Sequence, residues 1–297
     1  MVWKRNDSTK YRRSQFVLAV LLILLLATVG FVFWLVKKQL DENRPIAISV
    51  IDQIDISQEP TQNIVSEPKP EFDPAKLQKV IDDWAANISG QASVVMADKD
   101  VNILASYNAS QEYFTASIYK LYVAYFGYQQ VDAKAVNPLE QYINGHTRAQ
   151  CLDLMIRESD SPCAEILWAE LGKQAQTNKL VDLGITKTSM EGLSTTATDA
   201  AIMLGFIVRG EGLSPESQTA YLQSMKTQIY RDTLNIGFSS DVTVYNKIGF
   251  NGLKEYHDTA IVEFKDGRKL IVSVLTSGVG TKKIVSLGSA IEAAVNE

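Results

Sequence analysis

Cysteine and histidine are scarce: the 297-residue chain has two of each. With no C-x-x-C pair and only two imidazoles, a zinc site is not expected, and we predict no metal and no cofactor. A Ser-His-Asp triad would have to use His146 or His257, and the sequence has no G-x-S-x-G turn to present such a serine. His257, next to Asp258, is explained more simply as the start of a strand. The scarcity therefore disfavours both metal-assisted and His-dependent catalysis.

Basic residues are also fewer than acidic residues. The chain has 29 Lys and Arg residues against 34 Asp and Glu, a net charge of −5, and the basic residues are scattered. Nucleic-acid-binding domains instead concentrate Lys and Arg in a patch or stripe. We therefore expect no nucleic-acid partner.

Long uncharged hydrophobic runs are limited to residues 16–36. At 1.5 Å per residue this run can cross a hydrocarbon core of roughly 30 Å, and it is longer than the apolar region of a cleavable signal peptide. More basic residues precede it than follow it, which places the N-terminus in the cytoplasm. We predict a cytoplasmic basic tail, 1–15, a single-pass membrane helix, 16–36, an extracytoplasmic linker, 37–73, and an extracytoplasmic domain, 74–297. The protein is expected at the cell membrane as a monomer.

Strand patterns occur at both ends of the domain and helical patterns between them. Strand signals bounded by turn residues predict strands at 93–97, 101–107, 242–248, 257–264 and 269–276. Period-3.6 patterns predict helices at 117–130, 148–158, 162–171, 174–183, 199–208, 215–227 and 283–295, after a first helix that begins at Pro74. This order predicts an α+β fold, with a five-stranded antiparallel sheet flanked by terminal helices beside an all-α lobe. A cleft between the two lobes is the natural place for a site.

Ser117 and Lys120 stand three residues apart at the start of a predicted helix, so one helical turn stacks the amine against the hydroxyl. Aromatic and aliphatic neighbours would desolvate Lys120 and favour its neutral form, which can accept the serine proton. Free N–H groups at the helix start could hold an oxyanion. The alternative for this pattern is a helix-capping Ser followed by an exposed Lys.

Two further motifs follow in order: Ser159-Asp160-Ser161 between two predicted helices, and Lys247-Ile248-Gly249 on the first returning strand. With Ser117 and Lys120 they resemble the S-x-x-K, S-D-N and K-T-G set of class A β-lactamases and penicillin-binding proteins. The resemblance covers roughly residues 75–297. It implies a β-lactamase/transpeptidase-like fold and a serine hydrolase that forms an acyl-enzyme.

By this resemblance, Ser117 would attack the acyl carbon, Lys120 would accept its proton, and Ser159 would pass a proton to the leaving nitrogen. Backbone N–H groups of Ser117 and Phe250 would form the oxyanion hole. The resemblance makes the substrate a β-lactam or a peptidoglycan-like peptide.

The same resemblance assigns substrate binding to Ser161, Lys247, Gly249 and Phe250. Lys247 would complement a substrate carboxylate, and Gly249 would let substrate approach the strand edge. Ser161 replaces the Asn of the family, and Ile248 replaces a Thr or Ser that helps to hold the substrate carboxylate. A structural role is also expected around Ser161, which could cap the helix that begins at Pro162.

A loop that in class A β-lactamases is longer and carries the deacylating Glu is compressed here to residues 183–196. Glu191 is the only carboxylate between residues 184 and 194. It is either a deacylation base or a surface residue. We therefore expect acylation on Ser117 followed by slow hydrolysis. The alternatives are a D-Ala-D-Ala-type peptidase relative and a penicillin- or cell-wall-binding module with little turnover.

The two cysteines, Cys151 and Cys163, flank the Ser159 motif on successive predicted helices. Outside the membrane a disulfide between them would brace the loop that carries Ser159. Buried free thiols are the alternative.

Overall fold

A computed structural model describes residues 71–252 and 254–296, which belong to a unit that spans Ser66–Glu297. The predicted cytoplasmic tail, the predicted membrane span at 16–36 and nearly all of the predicted linker lie outside the described residues. Among the helices in the described ranges, none is long and apolar enough to cross a membrane.

A five-stranded antiparallel sheet forms the centre of this unit, as predicted. Its strands are β1 (Gln91–Asp98), β2 (Ile103–Tyr107), β7 (Thr243–Phe250), β8 (Glu255–Glu263) and β9 (Lys269–Ser277). They are arranged in the order β2-β1-β9-β8-β7, so that the chain starts the sheet, leaves it and returns to complete it. Strand β7 is therefore an edge strand of this sheet.

Two terminal helices cover one face of the sheet: α1 (Pro74–Ala85) and α9 (Thr281–Asn296). Asp73 caps helix α1, because its carboxylate accepts hydrogen bonds from backbone N–H groups of the first turn. Pro74 directly follows it as the first helical residue. The helices are joined by Trp84, whose indole N–H donates to the Lys283 carbonyl at 2.7 Å. Strand alternation points Val94 and Met96 into this core.

The other face of the sheet packs against a helical lobe. Its helices are α2 (Tyr119–Asp132), α3 (Arg148–Arg157), α4 (Ser161–Glu170), α5 (Lys173–Asp182), α6 (Ala197–Arg209) and α7 (Pro215–Lys226), with a short α8 (Leu234–Gly237) before the sheet resumes. Every residue from Tyr119 to Tyr128 on α2 is buried. The aromatic run of this helix is therefore core packing, and α2 is the central helix of the lobe.

Several short strands were not predicted: β3 (Glu112–Phe114) pairs with β6 (Ser194–Thr196), and β4 (Gln141–Ile143) pairs with β5 (His146–Thr147). Segments of two or three residues are too short to show a period of two, which explains why the pattern missed them. The β3–β6 pair matters for the site, because β3 ends just before Ser117.

Candidate active site

Ser117 lies on a short 3₁₀ turn, Ala116–Ile118, between β3 and α2. The prediction that it opens the α-helix itself is wrong: α2 begins two residues later. The turn follows the β3–β6 ladder, which continues as the Thr115 N–H donates to the Leu193 carbonyl at 2.7 Å. Ala116 has φ +44°, in the left-handed region that non-glycine residues seldom adopt. The backbone around Ser117 is thus set by the strand before it and the helix after it.

The side chain of Ser117 is half-buried and lines a cavity of about 380 Å³. The same cavity is lined by Ser159, Tyr230, Ile248 and Phe250. One serine from each of the first two motifs, Ile248 of the third motif and the adjacent Phe250 therefore line the same cavity. This cavity is called the Ser117 cavity below.

Lys120, in the first turn of α2, is 1% exposed. Burial lowers the pKa of its amine to about 8, although Asp160 and Glu165 act in the opposite direction. The amine donates to the carbonyl of Ser159 at 2.5 Å and contacts the hydroxyls of Ser159 at 3.3 Å and Ser161 at 3.2 Å. Among the described residues, the Lys120 amine makes these hydrogen bonds and none to Ser117 Oγ. Lys120 is thus a desolvated amine held at the Ser159 loop.

The loop that carries Ser159 ends in a capped helix. Asp160, not Ser161, caps α4: its carboxylate accepts from the Cys163 N–H at 2.8 Å, and Pro162 occupies the first turn. The prediction of Ser161 as the cap is therefore wrong. Because the longer Asp side chain satisfies the helix start, the Ser161 hydroxyl is available to Lys120.

Lys247, on β7, is fully buried. Its amine donates to the Ser159 hydroxyl at 2.9 Å and to the Ile248 carbonyl at 2.8 Å. Burial, with a further contribution from the charge of Lys120, holds the pKa of this amine well below its ordinary value. The Ser159 hydroxyl is consequently shared between the amines of two buried lysines.

Asp258, on the neighbouring strand β8, has no exposed surface. Its carboxylate accepts from the Thr233 hydroxyl at 2.5 Å, the Leu234 N–H at 3.0 Å and the Asn246 amide at 3.0 Å. Burial raises its pKa to about 6, while Lys247 acts against that rise. The sequence analysis gave Asp258 no role. An acidic residue within a strand that continues as Thr-Ala-Ile-Val was the available signal, since a carboxylate there must be buried with partners.

Gly249 lies against the 3₁₀ turn. A Cβ at this position would come within 2.9 Å of both the Thr115 carbonyl and the Ile118 side chain. The absence of a side chain at Gly249 thus permits close approach of the turn that carries Ser117, while close approach of substrate to the strand stays a prediction.

Two neighbours of Gly249 complete this edge. Phe250 is 46% exposed and stacks on Tyr256 with ring centroids 4.6 Å apart. The Nδ1 atom of His257 accepts from the Thr276 N–H at 3.1 Å, so its Nε2 carries the proton and donates to the Phe114 carbonyl at 2.8 Å. His257 therefore ties β8 to β3 beside Ser117.

Comparison with known proteins agrees with this arrangement. Residues 76–296 match the sequence profile of the β-lactamase enzyme family. The chain belongs to this family. No curated protein matches the sequence.

Solved structures of class A β-lactamases share the fold of this β-lactamase family member. A β-lactamase from Xanthomonas campestris pv. campestris is 19% identical, covers 75% of this chain and 99% of its own, and has a TM-score of 0.67. The ancestral GNCA class A β-lactamase is 19% identical over 73% of this chain and 99% of its own, with a TM-score of 0.68. PBP-A is 19% identical over 75% of this chain and 96% of its own, with a TM-score of 0.67, and a mutant of PBP-A has been solved as a penicillin G acyl-enzyme.

Glu191 is the residue that the sequence offers as a base for hydrolysis of the acyl-enzyme. Its side chain is exposed, on a turn closed by backbone hydrogen bonds between Ser189 and Ser194. Among the described residues that line the Ser117 cavity, none carries a carboxylate. The structure therefore places Glu191 at the surface and outside the lining of this cavity.

The structure joins Cys151 and Cys163 through a disulfide. The bond connects α3 to the first turn of α4. The Ser159 loop lies between these two helices. The disulfide of this β-lactamase family member therefore closes the segment that contains two predicted site residues, Ser159 and Ser161.

Proposed function

We propose that this protein is a serine hydrolase that forms an acyl-enzyme on Ser117 with a β-lactam or a peptidoglycan-like peptide, and that hydrolysis of the acyl-enzyme is slow. The observation that carries the proposal is the position of the Ser159 hydroxyl, which contacts the amines of both Lys120 and Lys247 and lines the same cavity as Ser117. A proton carrier beside the nucleophile is what amide cleavage requires.

The protons of the proposed acylation step balance through these residues. The Ser117 oxygen forms a bond to the acyl carbon, and its proton passes to the neutral amine of Lys120. As the carbon–nitrogen bond breaks, the leaving nitrogen takes the proton of Ser159. Lys120 then returns a proton to Ser159 through their contact at 3.3 Å. The lowered pKa of Lys120 supports this role, because an amine with pKa about 8 can both accept and return a proton near neutral pH.

Slow hydrolysis is supported by the absence of a carboxylate from the described lining of the Ser117 cavity. Removal of the acyl group needs a base to activate water, and Glu191 is exposed and outside the lining of this cavity. A mutant of PBP-A, a protein that shares this fold, has been solved as an acyl-enzyme with penicillin G. A D-Ala-D-Ala-type peptidase would share this acylation step, whereas a binding module would not form the covalent bond.

We also propose that residues 16–36 anchor the protein in the cell membrane and hold the catalytic domain on its extracytoplasmic side as a monomer. The uncharged run and the basic residues before it support this arrangement. A position at the membrane surface suits a substrate in the cell envelope.

Intact-mass spectrometry of the full chain in detergent, incubated with penicillin G and sampled from seconds to hours, tests the enzymatic proposal. We expect an adduct that maps to Ser117 and persists. Ser117→Ala should form no adduct, while Ser110→Ala, which alters an exposed serine, should react as the wild type does. No adduct with penicillin G would contradict acylation by β-lactams, and a short-lived adduct with accumulating product would contradict slow hydrolysis.

A further inference from the structure

One face of helix α4 lies against the first turn of helix α2. Ser161 and Trp168 share this face of α4, because seven residues correspond to two helical turns. The Ser161 hydroxyl contacts the Lys120 amine at 3.2 Å. The centroids of the Trp168 and Tyr119 rings lie 5.5 Å apart. These two contacts identify the face of α4 that is directed towards Lys120.

Glu165 lies on this face, between the two contacts. It is four residues after Ser161 and three before Trp168, the spacings at which side chains on a helix are neighbours. Burial raises the pKa of the Tyr119 hydroxyl, and the Glu165 carboxylate adds to that rise. Burial lowers the pKa of the Lys120 amine, and the same carboxylate is one of two that oppose the change. Position and charge therefore both place Glu165 beside the start of α2.

The carboxylate of Glu165 has no partner among the described residues. Its side chain is exposed, and within that part of the chain it forms no hydrogen bond and no ion pair. The amine of Lys173, on α5, lies instead over the Trp168 ring, 3.7 Å from its centroid. The negative charge of Glu165 is consequently not neutralised by a contact with a described cation.

Asp160 is the other carboxylate that acts on Lys120, and its effect is the larger of the two. This carboxylate also caps α4, where it accepts from the Cys163 N–H at 2.8 Å. A change at Asp160 would therefore alter the helix and the charge together. A change at Glu165 alters the charge near Lys120 and removes no hydrogen bond among the described residues.

The sheet contributes two further ionisable groups on the other side of Lys120. Lys247 meets Lys120 at the Ser159 hydroxyl, and burial keeps the pKa of the Lys247 amine well below its ordinary value. Asp258 acts on Lys247 and accepts from three donors of its own. Glu191, on the turn before β6, is not among the described charges that act on Lys120. Of the two carboxylates that do act on Lys120, Glu165 is the one without a hydrogen-bond partner.

We propose that Glu165 acts on the acylation of Ser117 through Lys120: its free carboxylate favours the ammonium form of Lys120 and so sets the pH range in which Ser117 is acylated. A nearby negative charge stabilises an ammonium, so loss of the Glu165 charge leaves more of Lys120 as the neutral amine at a given pH. The neutral amine is the form that accepts the Ser117 proton. The inference rests on the proposed acylation of Ser117 and adds a residue that regulates its base.

Acylation of the full chain in detergent by penicillin G, measured by quenched flow and intact mass from pH 6 to 10, tests this inference. We expect Glu165→Gln to lower the midpoint of the pH profile by about 0.3–1 pH unit, the size expected for one neighbouring charge near a protein surface. At pH 7 this variant should acylate about twofold to tenfold faster than the wild type. On the alkaline plateau it should not exceed the wild type, because a weaker base accepts a proton less readily.

Two matched variants separate the charge of Glu165 from its shape and from net charge. Glu165→Asp keeps the carboxylate and should keep a midpoint near that of the wild type. Glu216→Gln removes the same charge from an exposed position on α7 and should leave the midpoint unchanged. Raising NaCl from about 0.05 M to about 1 M should move the wild-type midpoint towards that of Glu165→Gln, because salt screens exposed charges. The midpoint of Glu165→Gln should respond less to salt.

The outcomes distinguish this inference from the proposed function. A midpoint that Glu165→Gln leaves unchanged, while penicillin G still labels Ser117, would overturn the role of Glu165 and leave acylation standing. Equal shifts in Glu165→Gln and Glu216→Gln would also overturn it, since net charge would then explain both. Slower loss of the acyl group with an unchanged acylation profile would overturn it in favour of a role in hydrolysis. If penicillin G labels no form of the protein, the proposed function fails, and this inference fails with it.

Discussion

The hydroxyl of Ser159 accepts a hydrogen bond from the amine of Lys247 at 2.9 Å, on the side of the sheet edge that faces Ser117. Lys120 approaches the same oxygen at 3.3 Å. A hydroxyl oxygen that accepts from two amines keeps its own proton free to be donated elsewhere. The contacts with two lysines from two different motifs therefore leave the proton of Ser159 available for the role that we propose.

Replacing Ser159 with Ala should lower the rate constant for acylation of Ser117 by about 10² to 10⁴, the usual contribution of a positioned acid or base. Ser159 has φ +56°, and Ser and Ala both carry a Cβ, so the change adds no new backbone strain. The midpoint of thermal unfolding should fall only as far as the loss of one hydrogen-bond partner of the buried Lys247 amine requires, with the protein still folded. Ser110→Ala serves as the control for the acylation assay. Acylation by Ser159→Ala at the wild-type rate would show that the leaving atom takes its proton from another group.

The rate constant for acylation should rise with pH and level off above about pH 8. Burial lowers the pKa of Lys120 from 10.5 to about 8, and only the neutral amine can accept the Ser117 proton. Below pH 8 the rate should fall roughly tenfold per pH unit, as the neutral fraction falls. Stopped-flow or quenched-flow measurements from pH 6 to 10 provide the profile. A rate independent of pH across this range would exclude Lys120 as the base.

The same shift predicts how stability depends on pH. In the unfolded chain Lys120 regains a pKa near 10.5, so between about pH 8 and 10.5 the unfolded state binds more protons than the folded state. This contribution makes the free energy of unfolding larger as pH rises through that window. Comparing urea unfolding of the wild type with that of Lys120→Met isolates the effect, because the variant lacks the titrating amine. A pH dependence identical in both proteins would contradict the lowered pKa.

The fold was largely predictable because its main elements are long. Strands β8 and β9 are each nine residues long, and their predicted bounds agree with the structure to within two residues. The Ser117 turn was not predictable at this level. Its 3₁₀ geometry depends on Gly249 and on the β3–β6 pair, which are contacts between segments distant in the sequence. Local periodicity contains no information about such contacts.

The residues of the candidate site could be predicted from the sequence, but the hydrogen bonds among them could not. The order of the motifs predicted that Ser117, Lys120, Ser159 and Lys247 share one site. The structure places the amines of Lys120 and Lys247 at the Ser159 hydroxyl, and Ser159 lines the same cavity as Ser117. The role of Asp160 as helix cap and the burial of Asp258 depend on distances of 3 Å or less, which spacing in sequence does not determine. The roles of these residues in catalysis stay predictions until acylation is measured.

Removal of the Cys151–Cys163 disulfide should lower the free energy of unfolding by about 3 kcal/mol, the value typical of a short closed loop. The loop spans 12 residues and contains Ser159 and Ser161, so the acylation rate should fall as well. The Cys151→Ala/Cys163→Ala double variant, compared with reduced and oxidised wild type in urea unfolding, measures the change. The reduced wild type should resemble the double variant. A loss below about 1 kcal/mol with unchanged acylation would mean that the helices hold the loop without the bond.

Replacing Gly249 with Ala should impair acylation more than it impairs folding. The added Cβ would lie 2.9 Å from the Thr115 carbonyl and from Ile118, so β7 and the Ser117 turn must separate. Overpacking of this kind costs about 1–3 kcal/mol, whereas a displacement of a nucleophile by about 1 Å can cost 10²-fold in rate. Gly280→Ala is the matched control, because a Cβ there meets no atom within 4 Å. Denaturant unfolding and acylation kinetics of both variants separate the two effects. If Gly249→Ala acylates at the wild-type rate despite its loss of stability, the turn adjusts independently of β7, and Gly249 serves packing rather than the placement of Ser117.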